Sequence, residues 1–254
     1  MSALVEHRTL VAETFTALRP IARFEPLGDG WTSFTYLVDG DWVVQIPRGR
    51  YGEETMVKQL DLLPGLASEV SAPIPRPVHV SRDPLMMAYP LIVGEPFSGV
   101  SPDGVWPERL GRFLYDVHLC PPEFVGLRWR SATVVREERR SQLDGFRERV
   151  FPLLSDEEQR GFGARFDRFV DDDDNWRFAP CLVHADLGPD HVLVHPNGDL
   201  AGVIDWEEAM IGDPAGDFAY LVHAFPAQGE RALAAYGGPP DATFRERMRF
   251  SYRL

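Results

Sequence analysis

The segment His184-Ala-Asp-Leu-Gly-Pro-Asp-His191 gathers two imidazoles and two carboxylates in one short stretch. A brief apolar run, Cys181-Leu-Val183, feeds into it, and after the Gly188-Pro189 break the chain turns apolar again through Val194. Asn197-Gly198 is a two-residue hairpin signal, and Ala201 to Ile204 reads as the return strand, ending at Asp205-Trp206. With Asn197-Gly198 at the tip, His191 lies opposite Ile204; a one-residue bulge would set it opposite Asp205 instead. Either register brings His191 and Asp205 together at the open end of the hairpin, with Asp186 on the loop that leads into it. Neighbouring anions are unfavourable unless a cation joins them, and a divalent ion bound to phosphates is such a cation. Phosphoryl transfer asks for a carboxylate to take the hydroxyl proton, metal ligands, and a cover over the phosphates. Asp186 is placed for the first role. Asp205 and His191 are placed to hold Mg2+. The loop Gly28-Asp-Gly-Trp-Thr-Ser33, with Gly28, Gly30 and Ser33, can cover the phosphates of ATP or GTP.

The elements that must position these groups fall into two parts. Leu10, Val11, Phe15 and Leu18 have helical spacing over residues 5–19. From Phe24 the pattern alternates, with a tight turn at Asp39-Gly40 and a compact apolar run over Trp42–Ile46, as antiparallel strands require. Helical spacing returns over 53–66, an extended Ala72–Pro77 link follows, and Leu85–Leu91 is another strand. Trp31, beneath the glycine loop, is read as core packing ahead of a contact with the nucleotide. The rest is mainly helical, over 107–118, over 134–154 with one heavily charged side, and from Pro214. Asp171–Asp174 reads as a solvated loop. The expected division is an N-terminal lobe over 1–92 and a C-terminal lobe over 93–254.

The 254 residues carry a formal net charge of −13 with 44% hydrophobic residues. That balance supports a real core, repels nucleic acid and anionic membranes, and favours cationic small molecules. No stretch approaches the ~20 apolar residues of a membrane helix, and Glu6, His7 and Arg8 rule out a secretory leader at the start. Two cysteines, Cys120 and Cys181, make no disulfide framework. A cytoplasmic monomer is expected. Lys58 is the sole lysine.

His184-x-Asp186, Val203-Ile-Asp-Trp206 and Gly212-Asp-Pro-Ala-Gly-Asp217 together resemble the aminoglycoside-phosphotransferase family, whose fold is protein-kinase-like. The resemblance runs from about Leu27 to Phe225 and takes in Trp42-Val-Val-Gln-Ile-Pro-Arg48 and Ala88-Tyr-Pro90. It implies an α+β, two-lobe fold, with a small antiparallel sheet in the first lobe and helices in the second. It also implies Asp186 as catalytic base, Asp205 as main metal ligand, and a nucleobase hinge at Ala88, Tyr89 and Leu91. Asp217 would steady the catalytic loop, and His184 would orient it. Glu207 and Glu208 could face a cationic acceptor. His191 stands where the family usually has asparagine, as in the macrolide and 2″-type aminoglycoside phosphotransferases. Gln45 stands where a phosphate-binding cation is usual, with Arg48 and Arg50 as substitutes at the strand end, and Gln59 where its glutamate partner is, with Glu53 or Glu54 as the alternative acid. The chain also ends sooner than family members do, which reads as a short or truncated form. The resemblance implies nucleoside-triphosphate-dependent phosphorylation of a hydroxylated small molecule, an aminoglycoside first. Macrolide phosphorylation and a degenerate kinase-like binding protein are the alternatives.

Overall fold

The computed structural model describes residues 3–97, 104–121 and 127–252. Helix α1 spans Ala3–Thr14, and a single 3-10 turn, Thr16–Leu18, completes the helical stretch read from the sequence. Strands β1 (Phe24–Asp29), β2 (Ser33–Val38) and β3 (Trp42–Pro47) follow, then helix α2 (Gly49–Leu66), then β4 (His79–Arg82) and β5 (Leu85–Pro90). They form an antiparallel sheet in the order β1-β2-β3-β5-β4. Asp39 and Gly40 turn β2 into β3 with φ of 54° and 86°. The Asp39 carboxylate stabilises the turn by accepting from the Ala22 and Arg23 N–H groups at 2.8 and 2.6 Å. Alternation along β3 builds two cores. Val44 and Ile46 join Val11, Phe15 and Tyr36, whereas Val43 joins Met56 and Leu60 of α2. Strand β6 is short, Glu95–Pro96.

Along the rest of the chain come α3 (Trp106–Leu119), α4 (Ala132–Arg149), α5 (Asp156–Asp171), β7 (Cys181–Val183), β8 (Val192–Val194), β9 (Leu200–Val203), β10 (Met210–Gly212), α6 (Gly216–Ala224), α7 (Pro226–Tyr236) and α8 (Phe244–Tyr252). The chain forms two compact units. The first holds the described residues up to 97 together with 190–208, so β8 and β9 pack with β6 in that unit, outside the 1–92 lobe drawn from sequence. The second holds the remaining helices with β7 and β10. No described helix is long and apolar enough to cross a membrane.

Three local readings change. The β8–β9 turn is not a two-residue hairpin. The His195 carbonyl accepts from Gly198 N–H (2.8 Å), and His195 N–H donates to the Asp199 carbonyl (2.9 Å), with Gly198 at φ 82°. Pro196 favours a type I turn at the second position, and glycine then takes the left-handed residue that closes a three-residue loop. Asp171–Asp174 is no loop either. It closes α5 and enters a 3-10 turn, Asp173–Trp176, where Arg136 meets Asp173 at 2.7 Å. Trp31 is 98% exposed rather than in the core. Helix α5 announces itself in sequence by a capping box, Ser155 with Glu158, ahead of Phe162, Phe166 and Phe169.

Candidate active site

The register at the open end of the β8–β9 hairpin is the one first read from sequence. Val192 pairs with Val203, and Ile204 N–H donates to the His191 carbonyl at 2.9 Å. His191 Nε2 lies 3.4 Å from Asp205 Oδ2. Asp205 has φ 66°, a left-handed conformation that non-glycine residues hold only when their surroundings enforce it. The donor chemistry suits Mg2+. One carboxylate and one neutral imidazole, close enough to touch a common ion, leave most of an octahedron to water and phosphate oxygens. Among the described residues no cluster of three or more His, Cys, Asp or Glu side chains makes a metal cage.

Asp186 belongs to the second unit, on the loop after β7. The loop is pinned from below. Asp217, fully buried in the first turn of α6, accepts from His184 N–H and Ala185 N–H, both at 2.9 Å, and lies 3.1 Å from His118 Nε2. His118 Nδ1 in turn lies 3.0 Å from the Tyr236 hydroxyl. Burial opposes ionisation of Asp217, but the His118 contact and the donated N–H groups hold its carboxyl below the ordinary value. This bracing keeps Ala185 at φ 68° and presents Asp186, exposed, to a cavity of about 590 Å³. His184 Nδ1 accepts from Asp186 N–H at 3.3 Å, so the histidine does orient the loop. Arg130, Arg139 and Arg247 also line this cavity. Sequence did not single them out: Arg139 reads as part of the solvated face of a charged helix, and Arg130, just ahead of that helix, and Arg247 carry no signal of their own.

The remaining residues sit in the first unit. Gly28 and Gly30 are exposed and Ser33 is buried. Gln45 pairs with Thr35 and Met87 across the sheet, and its Oε1 is buried without a hydrogen-bond partner. Gln59 is buried in α2. At the hinge, Ala88 and Tyr89 are buried, the Ala88 carbonyl accepts from Val78 N–H, and Leu91 N–H donates to the Asp41 carbonyl, both at 2.8 Å. Glu207 and Glu208 are engaged within the same unit. The Glu207 carboxylate accepts from the Thr32 hydroxyl, and burial pushes its pKa up. Glu208 accepts from Tyr51 at 2.7 Å. Lys58 Nζ donates to the Glu207 carbonyl, and burial lowers its pKa despite both neighbouring glutamates.

The phosphotransferase enzyme family matches residues 23–250. The chain belongs to that family. A curated relative, the uncharacterized protein YcbJ of Bacillus subtilis (strain 168), is 27% identical over 77% of this chain and 67% of its own length. Among solved structures, the GDP and kanamycin complex of an aminoglycoside phosphotransferase, APH(2″)-IIIa, is 25% identical with a TM-score of 0.87. The match covers 98% of this chain and 88% of that one. The macrolide 2′-phosphotransferase MphH of Brachybacterium faecium is also 25% identical, with a TM-score of 0.77, over 96% and 86% of the two chains. The fold of this phosphotransferase is therefore the kinase-like α+β fold, with an antiparallel sheet in its N-terminal part and helices in its C-terminal part.

Proposed function

We propose that this phosphotransferase moves the terminal phosphoryl group of ATP or GTP onto a hydroxyl of a small molecule, with Asp186 receiving the hydroxyl proton. The observation that carries the reading is the braced loop, in which the buried Asp217 holds Ala185 in a strained conformation and turns Asp186 toward the cavity. The acceptor oxygen bonds to the γ-phosphorus as the bond from phosphorus to the β–γ bridging oxygen breaks. The proton passes to Asp186 and the nucleoside diphosphate leaves. Asp205 and His191 would hold Mg2+, which offsets charge on the phosphates when bound. Gly28, Gly30 and Ser33 cover the phosphates, Gln45 donates to them as a neutral group, and Ala88 to Leu91 border the nucleobase. An enzyme drawing on nucleoside triphosphates works in the cytoplasm.

The kanamycin-bound structure and the macrolide phosphotransferase support antibiotics as acceptors. A second reading, a binding protein without turnover, is favoured by one observation: Gln45 and Gln59 are neutral where the family carries a charged pair, and Gln45 Oε1 is buried unpaired. A coupled assay of nucleoside diphosphate release, run with aminoglycosides, macrolides and sugars, separates the two. Turnover that falls about 100-fold or more in Asp186→Asn, with nucleotide affinity unchanged, is expected for a general base. Metal-dependent nucleotide binding with no turnover on any acceptor would establish the second reading.

A further inference from the structure

The cavity beside Asp186 has an unequal balance of charge once its internal pairs are set aside. Arg247 is saturated: Nε donates to Asp213 at 2.8 Å, Nη1 and Nη2 to Asp241 at 2.8 and 2.9 Å, and Nη1 to Thr243 at 2.6 Å. That also accounts for Asp213. Asp217 is committed to His118 and two backbone N–H groups. Arg130 and Arg139 remain. Arg130 shares the single carboxylate of Glu138 with Arg128. Its Nη1 points at Met210 Sδ at 3.5 Å, and its Nε is buried with no hydrogen-bond partner. Arg139 donates to the neutral Gln142 Oε1 at 2.9 Å. Burial and the nearby Arg130 charge push the Arg139 pKa down to about 10, against the opposing pull of the Glu138 and Asp213 carboxylates.

We infer that the acceptor carries an anionic group, a carboxylate or a phosphate, that seats against Arg139 and Arg130 while its hydroxyl faces Asp186. This rests on the reading of the cavity as the acceptor site. A half-buried guanidinium with no direct ion pair, as at Arg139, is costly, and its planar fork matches the paired oxygens of either anion. The volume, about 590 Å³, suits a drug-sized or smaller ligand. The net charge of −13 gives no guide here, because it belongs to the whole chain, whereas Arg130 and Arg139 stand at the cavity wall. A polycationic acceptor would meet two guanidiniums.

The test is binding to the full-length chain by calorimetry, with ADP and Mg2+ saturating so that phosphate contacts elsewhere are filled. Four sugars that differ mainly in charge serve as probes: glucose 6-phosphate, glucuronate, glucose and glucosamine. The expected order places at least one of the two anions tenfold or more ahead of glucose, and glucosamine last; whichever anion leads tells phosphate from carboxylate. Arg139→Gln should lose about tenfold for the leading anion and under twofold for glucose, with Arg139→Lys between. Asp186→Asn should tighten the anion, because it removes a repulsive charge. No anion binding, equal binding of all four, or a gain for glucosamine over glucose that Asp186→Asn abolishes would overturn the inference. Anion preference without phosphorylation of any acceptor would sink the proposed function alone. Phosphorylation without anion preference would sink this inference alone.

Discussion

Replacing Asp217 tests the brace beneath the catalytic loop. Its carboxylate takes three donors: the N–H groups of His184 and Ala185 at 2.9 Å each and His118 Nε2 at 3.1 Å. Hydrogen bonds to a charged group contribute about 1.5–3 kcal/mol each, so losing all three in Asp217→Ala should cost about 4.5–9 kcal/mol. That approaches the whole stability of an ordinary domain, about 5–15 kcal/mol, and the variant is expected to fold poorly. Asp217→Asn is the sharper probe. It keeps one acceptor and turns an amide N–H toward one of the loop donors, for a loss of about 2–3 kcal/mol. Ala185 would then relax from φ 68°, a conformation that costs about 1 kcal/mol or more for alanine. Asp186 would move with it, and a displacement near 1 Å lowers kcat by about 100-fold. Urea unfolding and steady-state kinetics read the two effects separately. The pH dependence has a definite sign. The folded pKa of Asp217 lies below the ordinary 3.8, so its stabilisation is complete above the unfolded value and is lost as pH falls through the folded one. The gap between wild type and Asp217→Asn should therefore close in acid below about pH 4. A variant within about 0.5 kcal/mol of wild type at pH 7, with kcat within threefold, would refute this account of the loop.

Two further substitutions probe the second unit away from the loop. Arg247→Met strands the carboxylates of Asp213 and Asp241 and should lower stability by about 3–5 kcal/mol in urea; a loss below about 1 kcal/mol would mean that the triad is only tolerated. Gly111→Ala should destabilise by about 1–3 kcal/mol, although alanine is the better helix former, because its Cβ would run into the Ala232 carbonyl where α3 packs on α7. A thermal midpoint equal to or above wild type would show that the helices can separate freely.

The sequence was most legible where chemistry and geometry coincide. The β8–β9 register followed from period-two alternation and a turn, and it put His191 beside Asp205 even though the turn proved one residue longer. The error at the tip left the open end intact because the irregularity falls between Leu193 and Val194, below the functional pair. The bracing role of Asp217 came from the family resemblance, and its bonds to the His184 and Ala185 N–H groups fit it. The arginines of the cavity were not legible. Arg139 looks like any residue of a charged helix face, and Arg130, just ahead of that helix, carries no signal until folding sets both at one cavity and leaves Glu138 shared between Arg128 and Arg130. Trp31 misled for the opposite reason, since a large apolar residue reads as core, and only the loop's geometry shows it standing in solvent.

The neutral pair at Gln45 and Gln59 then takes on a different meaning. A lysine–glutamate pair at these positions would tie the phosphate-binding strand to α2. Here Gln59 is buried, and the cation is its neighbour, Lys58, which reaches out of α2 to the Glu207 carbonyl. The Glu207 side chain in turn holds Thr32 at the end of the glycine loop, two residues beyond Asp205. Helix α2, the Gly28–Ser33 loop and the segment after β9 are thus linked through one residue rather than through an ion pair across the sheet. Glu207 was read from sequence as facing an acceptor; its contacts make it the joint of the first unit. Burial and the nearby Asp205 and Glu208 charges push its pKa up, and the hydroxyls of Thr32 and Ser33 oppose that rise, so the contacts that fix its position also favour its charged form.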